Sequence, residues 1–397
     1  MKIAFFIGSV DISGGTYVIY QHALHASQCG HDVTIVVLYP YDQSQLGWHP
    51  ATRQLRFVPV AEVGQEHFDL AVATWWKTAT ELHTLEASRY AFFVQSIESR
   101  FYPDEEIPLK GLVDRTYDLG LPTITEASWI KEYLRTKHHC TADLVRNGIR
   151  KDLYTQNGPA IAARPNHGRM RVLVEGPMGV PFKNVGNSLR LSRKSRAEST
   201  WLLTSTRIRT LPFIDRVFSH VPVASTPEIY RSCDVLLKLS YVEGMFGPPL
   251  EMFHCGGTSV VYDVTGHDEY IRDGINAMVV ARDDENGVIN ALNRLNDDPE
   301  LLASMKEAAA QTAAAWPDWT QSSREFLDAL ISIGDSPDRE TIRNRNSQSM
   351  AEYVELENQR LAAKPQRPDR KLESFVQRHP RLAELKRHYG FLREYWP

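Results

Sequence analysis

Short apolar runs alternate along the chain with longer stretches whose apolar positions recur every three or four residues. Lys2–Ile7, Val33–Leu38, Phe68–Ala73 and Ala91–Gln95 are apolar without period-two alternation, the pattern of strands buried on both faces. Tyr17–Gln28 and Ala127–Thr136 have helical spacing. Buried strands separated by helices specify a parallel sheet in an α/β layer architecture. Asn147-Gly148 reads as a turn, and 157–169 (NGPAIAARPNHGR), rich in Gly, Pro and polar residues, as an interdomain linker. The pattern then restarts: Arg171–Val174, Thr200–Leu203, Val235–Leu239 and Ser259–Tyr262 read as strands with helices between them, and Glu300–Ala315 and Trp319–Ile333 as helices. The expected organisation is one α/β domain over 1–160, a second over 168–335, and a basic, mostly helical extension over 336–397.

Composition narrows the classes. At 397 residues, with 42% hydrophobic and 24% charged positions, the chain reads as a soluble protein of two domains. A net charge of −4 gives no case for nucleic acid. The cysteines Cys29, Cys140, Cys233 and Cys255 are widely spaced without a CxxC, so they read as small buried residues in a reducing compartment. MKIAFFIGSV is too short for a secretory apolar region, and no run of 18 apolar residues occurs; a cytoplasmic protein is expected. Residues 336–397 hold 13 Lys+Arg against 9 Asp+Glu and end in Tyr389, Phe391, Tyr395 and Trp396. Such a tail either folds back on its own body or rests on a membrane surface or a partner protein.

The chemistry concentrates in YVEGMFGPPLEMFHCGG, 241–257. Val235–Leu239 being a buried strand, Glu243, Gly244, Met245, Phe246 and Gly247 lie at the carboxyl end of a parallel strand, where open α/β sheets bind ligands. Pro248 and Pro249 suit a helix's first turn and Gly256 its end. The helix N-terminus and loop N–H groups are expected to hold an anion such as a diphosphate. Glu251, one turn inside, would accept hydrogen bonds from a ribose, and Glu243 from hydroxyls of a second sugar. One loop would then hold all parts of a nucleoside diphosphate sugar.

These residues resemble the E-x7-E signature of retaining glycosyltransferases of family four. That family has the GT-B fold: two Rossmann-like domains facing a central cleft. DISGGTYVIYQHA resembles the family's glycine-rich loop, implying that Gly14 and Gly15 approach the donor phosphate. VEGPMGVPFKN resembles the first strand and loop of the donor domain, implying that Lys183 binds phosphate; TEASWIKEYL and GHDEYIRDGINAMVV resemble flanking landmarks. FSHVPVAS resembles the stretch that meets the base, implying that His220 and Val221 lie nearest to it. The resemblance spans about residues 1–335. Two departures stand out. No Arg precedes Lys183, leaving Arg207 and Arg209 as candidate replacements, and Gln95 stands where the family often has a catalytic-site His. Gln95 can hydrogen-bond a sugar hydroxyl but cannot act as a base; Glu98 then either contacts a substrate or caps its loop.

What the resemblance implies is retention, a leaving phosphate that helps deprotonate the acceptor, and a glycan or glycolipid acceptor in polysaccharide biosynthesis. No cofactor is expected, nor a metal, since no D-x-D triplet occurs. Gln95 and GPMGVPFKN resemble bacterial rhamnosyltransferases using a thymidine diphosphate sugar, while dTDP-, UDP- and GDP-linked donors all remain open. A nucleotide-sugar-binding scaffold subunit and a nucleotide-sugar epimerase are the competing readings. A dinucleotide-dependent oxidoreductase fits poorly, because GSVDISGG is not GxGxxG.

Overall fold

The apolar runs of the N-terminal part become neighbouring parallel strands. The structure, a computed structural model, describes residues 1–165 and 169–363. They fall into two units, one formed by Met1–Ile149 with residues 317–363, the other by Arg150–Trp316.

In the first unit, β1 (Lys2–Ile7), β2 (Asp32–Val37), β3 (Arg56–Pro59), β4 (Leu70–Ala73), β5 (Tyr90–Val94), β6 (Thr123–Thr125) and β7 (Ala142–Leu144) form a seven-stranded sheet in the order β3-β2-β1-β4-β5-β6-β7. Its pairings are parallel, with Ile3 opposite both Val33 and Leu70. The principal helices are α1 (Gly14–Gln28), α2 (Ile107–Arg115) and α3 (Ser128–His138). In the second unit β8 (Arg171–Glu175), β9 (Ser199–Thr204), β10 (Arg216–Ser219), β11 (Val235–Lys238), β12 (Thr258–Tyr262) and β13 (Met278–Val280) form a parallel sheet in the order β10-β9-β8-β11-β12-β13. Around it lie α4 (Val185–Lys194), α5 (Gly247–His254), α6 (Glu285–Asp297) and α7 (Pro299–Ala315). Both sheets therefore reverse direction of growth beside their first strand, the doubly wound plan.

The expected boundaries move. α8 (Trp319–Ser332) and α9 (Arg339–Ala363) belong to the first unit. The ring of Phe326 stacks on His22 of α1 at 4.0 Å between centroids, and His22 Nδ1 lies 3.1 Å from Ser323 Oγ. Burial lowers the His22 pKa to about 3, so the ring packs as a neutral group. The chain crosses between units at 149/150 and not at 160. Gly148 is there no turn: a Cβ at that position would lie 2.5 Å from backbone atoms of Asp318 and Trp319, so glycine permits two backbones to cross.

Residues 150–165, read as the approach to a linker, are pinned to the second unit by arginines. Arg164 donates to the carbonyls of Cys255 and Gly256 at 2.8 and 2.7 Å, satisfying orphan acceptors at the end of α5, and to the carbonyl of Cys233, ahead of β11, at 2.9 Å. Of the basic extension, 339–363 is helix lying on its own unit. Asn346 Nδ2 donates to Ala79 O and Thr80 O, Arg339 Nε to His83 O, and Arg360 pairs with Glu106. Residues 364–397, with the terminal aromatics on which the membrane reading rests, lie outside the described residues. No helix among the described residues is long and apolar enough to cross a membrane. The cysteine reading holds for buried Cys233 and Cys255 but not for Cys29, which is exposed at the end of α1.

Candidate functional site

β8 ends on Glu175 and β11 on Lys238, neighbouring strands with Val174 opposite Leu237. They meet where the strand order reverses, the place where doubly wound sheets open a crevice. Lys238 Nζ lies 2.6 Å from Glu175 Oε2, 3.2 Å from the Glu175 carbonyl oxygen and 4.0 Å from Glu243 Oε1. Lys183 Nζ lies 2.8 Å from Glu243 Oε2. Four charges thus alternate in sign, Glu175, Lys238, Glu243, Lys183.

Local structure places each of them. Lys183 closes a 3-10 turn, Pro181–Lys183. Tyr241 N–H donates to Phe182 O at 2.8 Å and Asn184 Nδ2 to Leu239 O at 3.1 Å, tying that turn to the loop after β11. Gly176, at φ +143°, follows Glu175; a Cβ there would meet Val185 Cγ2 at 2.9 Å, so glycine is required by both the backbone angle and the packing of Val185. Burial alone would raise the Glu243 pKa, but Lys183 and Lys238 outweigh it and hold the carboxyl below its ordinary range. Burial likewise opposes the charge on Lys238, and Glu175 and Glu243 more than restore it. For Glu251, burial and then the Glu175 carboxylate push the pKa up to about 7, against the hydroxyls of Tyr230 and Tyr154.

Several expectations change. α5 begins Gly247-Pro248-Pro249; the prolines have no N–H, and Gly247 N–H donates to Met245 O at 2.9 Å. Residues 247–249 therefore present no spare peptide donor, which puts more of the task of meeting a diphosphate on the neighbouring lysines. The Phe246 side chain is fully buried and its carbonyl accepts from Tyr270 Oη, so its ring belongs to the core and not to a donor pocket. Gly244 and Met245 stay partly exposed. Arg207 and Arg209 are exposed in the loop after β9, and the extra cation beside Lys183 is Lys238. In the sequence it lies inside the apolar run read as the strand 235–239; a lysine closing a buried strand immediately before the site is the available signal. His220 and Val221 follow β10 on the same carboxyl edge, His220 exposed and at φ +54°.

In the first unit the structure brings Gly15 and Gln95 together: a Cβ at Gly15 would lie 3.4 Å from the Gln95 amide. Gly14 opens α1 with Ser13 as its cap, Ser13 Oγ accepting from Thr16 N–H at 3.0 Å, and nothing lies within 4 Å of a Cβ at Gly14. Glu98 is a buried anchor for its loop. Its Oε2 accepts from Trp76 N–H at 2.7 Å, and its own N–H donates to Tyr117 Oη at 3.0 Å. Burial raises its pKa to about 8, so the carboxyl is protonated at neutral pH. A carboxyl pKa raised in the folded state takes stability away as pH climbs from the unfolded value toward the folded one. Glu98→Gln is therefore expected to match wild type in unfolding free energy near about pH 4 and to exceed it by about 1–3 kcal/mol near about pH 8, read from denaturant melts at the two pH values, with activity retained.

Comparison with solved structures decides the architecture. The complex of Alr3699/HepE from Anabaena with UDP and glucose superposes with a TM-score of 0.67 at 15% identity, over 84% of this chain and 100% of that one. The fold is GT-B. Within this GT-B chain, residues 211–312 match the family described as Glycosyl transferases group 1, a segment that contains Lys238, Glu243 and Glu251. Among curated relatives, O-antigen biosynthesis protein RfbC of Myxococcus xanthus is 25% identical over 285 residues, 68% of this chain and 21% of that protein. D-inositol 3-phosphate glycosyltransferase of Stackebrandtia nassauensis is 30% identical over 120 residues, 30% of this chain and 26% of that protein. The GT-B chain thus matches about a fifth to a quarter of the length of these relatives.

Proposed function

We propose that the protein transfers a sugar from a nucleoside diphosphate sugar to a glycan or glycolipid acceptor, with retention at the anomeric carbon, in surface-polysaccharide assembly. The observation that carries this reading is the Lys183–Glu243 pair at 2.8 Å, at the switch point of the second sheet beside the segment that matches group 1 glycosyl transferases. A diphosphate leaving group needs a positioned cation, and a carboxylate beside it suits the hydroxyls of the sugar being moved. In this reading Lys183 takes the phosphate, Glu243 the transferred sugar, Glu251 the ribose, and His220 and Val221 the base, with Gly244 and Met245 lining the path between them. The polysaccharide setting is supported by the name of the Myxococcus xanthus relative, and a uridine nucleotide by the ligands of the Anabaena structure.

Thermal unfolding with UDP, dTDP and GDP and their sugars tests the donor. One base series is expected to raise the melting temperature by several degrees, about 5 °C at a hundred-fold excess over Kd. No shift with any of the three would sink the reading. Transfer of labelled sugar to an acceptor fraction separates it from a scaffold, which binds without turnover, and from an epimerase, which returns an altered donor.

A further inference from the structure

Glu243 has two oxygens, and the structure gives them different partners. Oε2 receives the ammonium of Lys183, whose side chain is 23% exposed. Oε1 is buried and makes no hydrogen bond, facing Lys238 at 4.0 Å; Ser240 Oγ, near enough to favour ionised Glu243, is itself unbonded. The Lys238 side chain is 2% exposed and is anchored from behind by the Glu175 carboxylate and carbonyl.

The two lysines therefore differ in what they are able to do. Lys183 sits on a short turn with part of its surface open, so an arriving anion can draw it off Glu243. Lys238 is walled in and tethered, so it stays. Without Lys238, departure of Lys183 would leave Glu243 a buried carboxylate with Ser240 as its one remaining favourable neighbour, and such a group takes up a proton. Resting on the donor reading above, we infer that Lys238 is a positioning residue: it holds Glu243 ionised and aimed through Oε1 after Lys183 has moved to the donor diphosphate, leaving Oε2 for a sugar hydroxyl. The groups that bear on Glu243 are Lys183, Lys238 and Ser240; Glu175 and Glu251 act on the Lys238 they share with it, and the hydroxyl of Tyr270 feels both Glu243 and Glu251.

Lys238→Met, close in volume and uncharged, tests this against wild type. The acid limb of its kcat/KM profile is expected to move up by about 1–3 pH units, with kcat reduced more than the donor KM is raised and activity recovering toward alkaline pH. The carboxylate infrared band assigned by difference from Glu243→Gln should shift the same way in unliganded protein. Should the single variant fold poorly, Glu175→Gln with Lys238→Met removes the facing charges together and is read in the same two ways. An unmoved acid limb and an unmoved infrared band in an active, folded variant would overturn the role of Lys238. A wild-type protein stabilised by no nucleoside diphosphate would instead overturn the donor reading, and the infrared comparison still decides whether Lys238 holds Glu243 ionised.

Discussion

Replacing Lys183 with Ala is expected to lower kcat/KM for the nucleoside diphosphate sugar by about 10²–10³ and to remove the thermal shift given by the nucleotide. The size follows from how the lysine is held. Its turn is fastened at both sides, by Tyr241 N–H on Phe182 O and by Asn184 Nδ2 on Leu239 O, so the cation is in place before the donor arrives. The first turn of α5 supplies no compensating donor, because two of its three leading residues are prolines and the third N–H is engaged. Loss of the lysine also leaves Glu243 Oε2 unpaired. Since the Lys183 side chain is 23% exposed, the stability cost is set at about 1–2 kcal/mol, below that of a fully buried pair. Donor titration alongside a melt of the unliganded variant separates the two effects. Lys183→Arg is expected to restore part of the binding, since it returns the charge with a different shape.

The second large effect is at Glu251. Glu251→Ala is expected to weaken nucleotide binding by about 1.5–3 kcal/mol, the worth of hydrogen bonds to a charged acceptor. Its pH dependence is more diagnostic. Burial and the Glu175 carboxylate push the Glu251 pKa up to about 7, so the group gains its charge as pH rises through neutrality. An ionised carboxylate accepts ribose hydroxyls more strongly than a protonated one, so wild-type affinity for the nucleotide should tighten between about pH 6 and about pH 8. Glu251→Gln keeps an acceptor and does not titrate; its affinity for a nucleoside diphosphate sugar, whose esterified phosphates do not titrate there, should be flat across that range. Isothermal titration of both proteins at matched ionic strength checks this, and a pH slope retained in the Gln variant would remove Glu251 from the ribose.

The sheets were legible because buried parallel strands are written in contiguous apolar residues: β1, β2, β5, β8 and β11 each stand out from the sequence. β3 and β10 did not, being edge strands with polar or proline positions (RFVP and RVFS) that carry no such run. Linear order misplaced the C-terminal helices. α8 follows the second unit in sequence but docks through Phe326 on His22, and nothing local in TQSSREFLDAL announces that return. The site was half legible. Glu243, Glu251 and the prolines of α5 could be set at a strand end from spacing alone. That Pro248 and Pro249 strip the helix mouth of donors followed from the same letters, but it acquired weight only once Gly247 N–H was seen to be engaged. Lys238 and Glu175 meet across adjacent strands from 63 residues apart, a pairing that depends on strand order and register. Of the two readings open for Glu98, the geometry supports the loop anchor: its carboxyl is buried against Trp76 N–H.

The central claim is that a donor's diphosphate is met by Lys183, drawn away from Glu243, at the carboxyl edge of the second sheet. A crystal structure with an unhydrolysed nucleoside diphosphate sugar measures this directly. The account places a phosphate oxygen within about 3.2 Å of Lys183 Nζ, the Lys183–Glu243 contact opened, and a sugar hydroxyl on Glu243 Oε2. A donor bound away from residues 243–251, with the 2.8 Å Lys183–Glu243 pair intact, would contradict it.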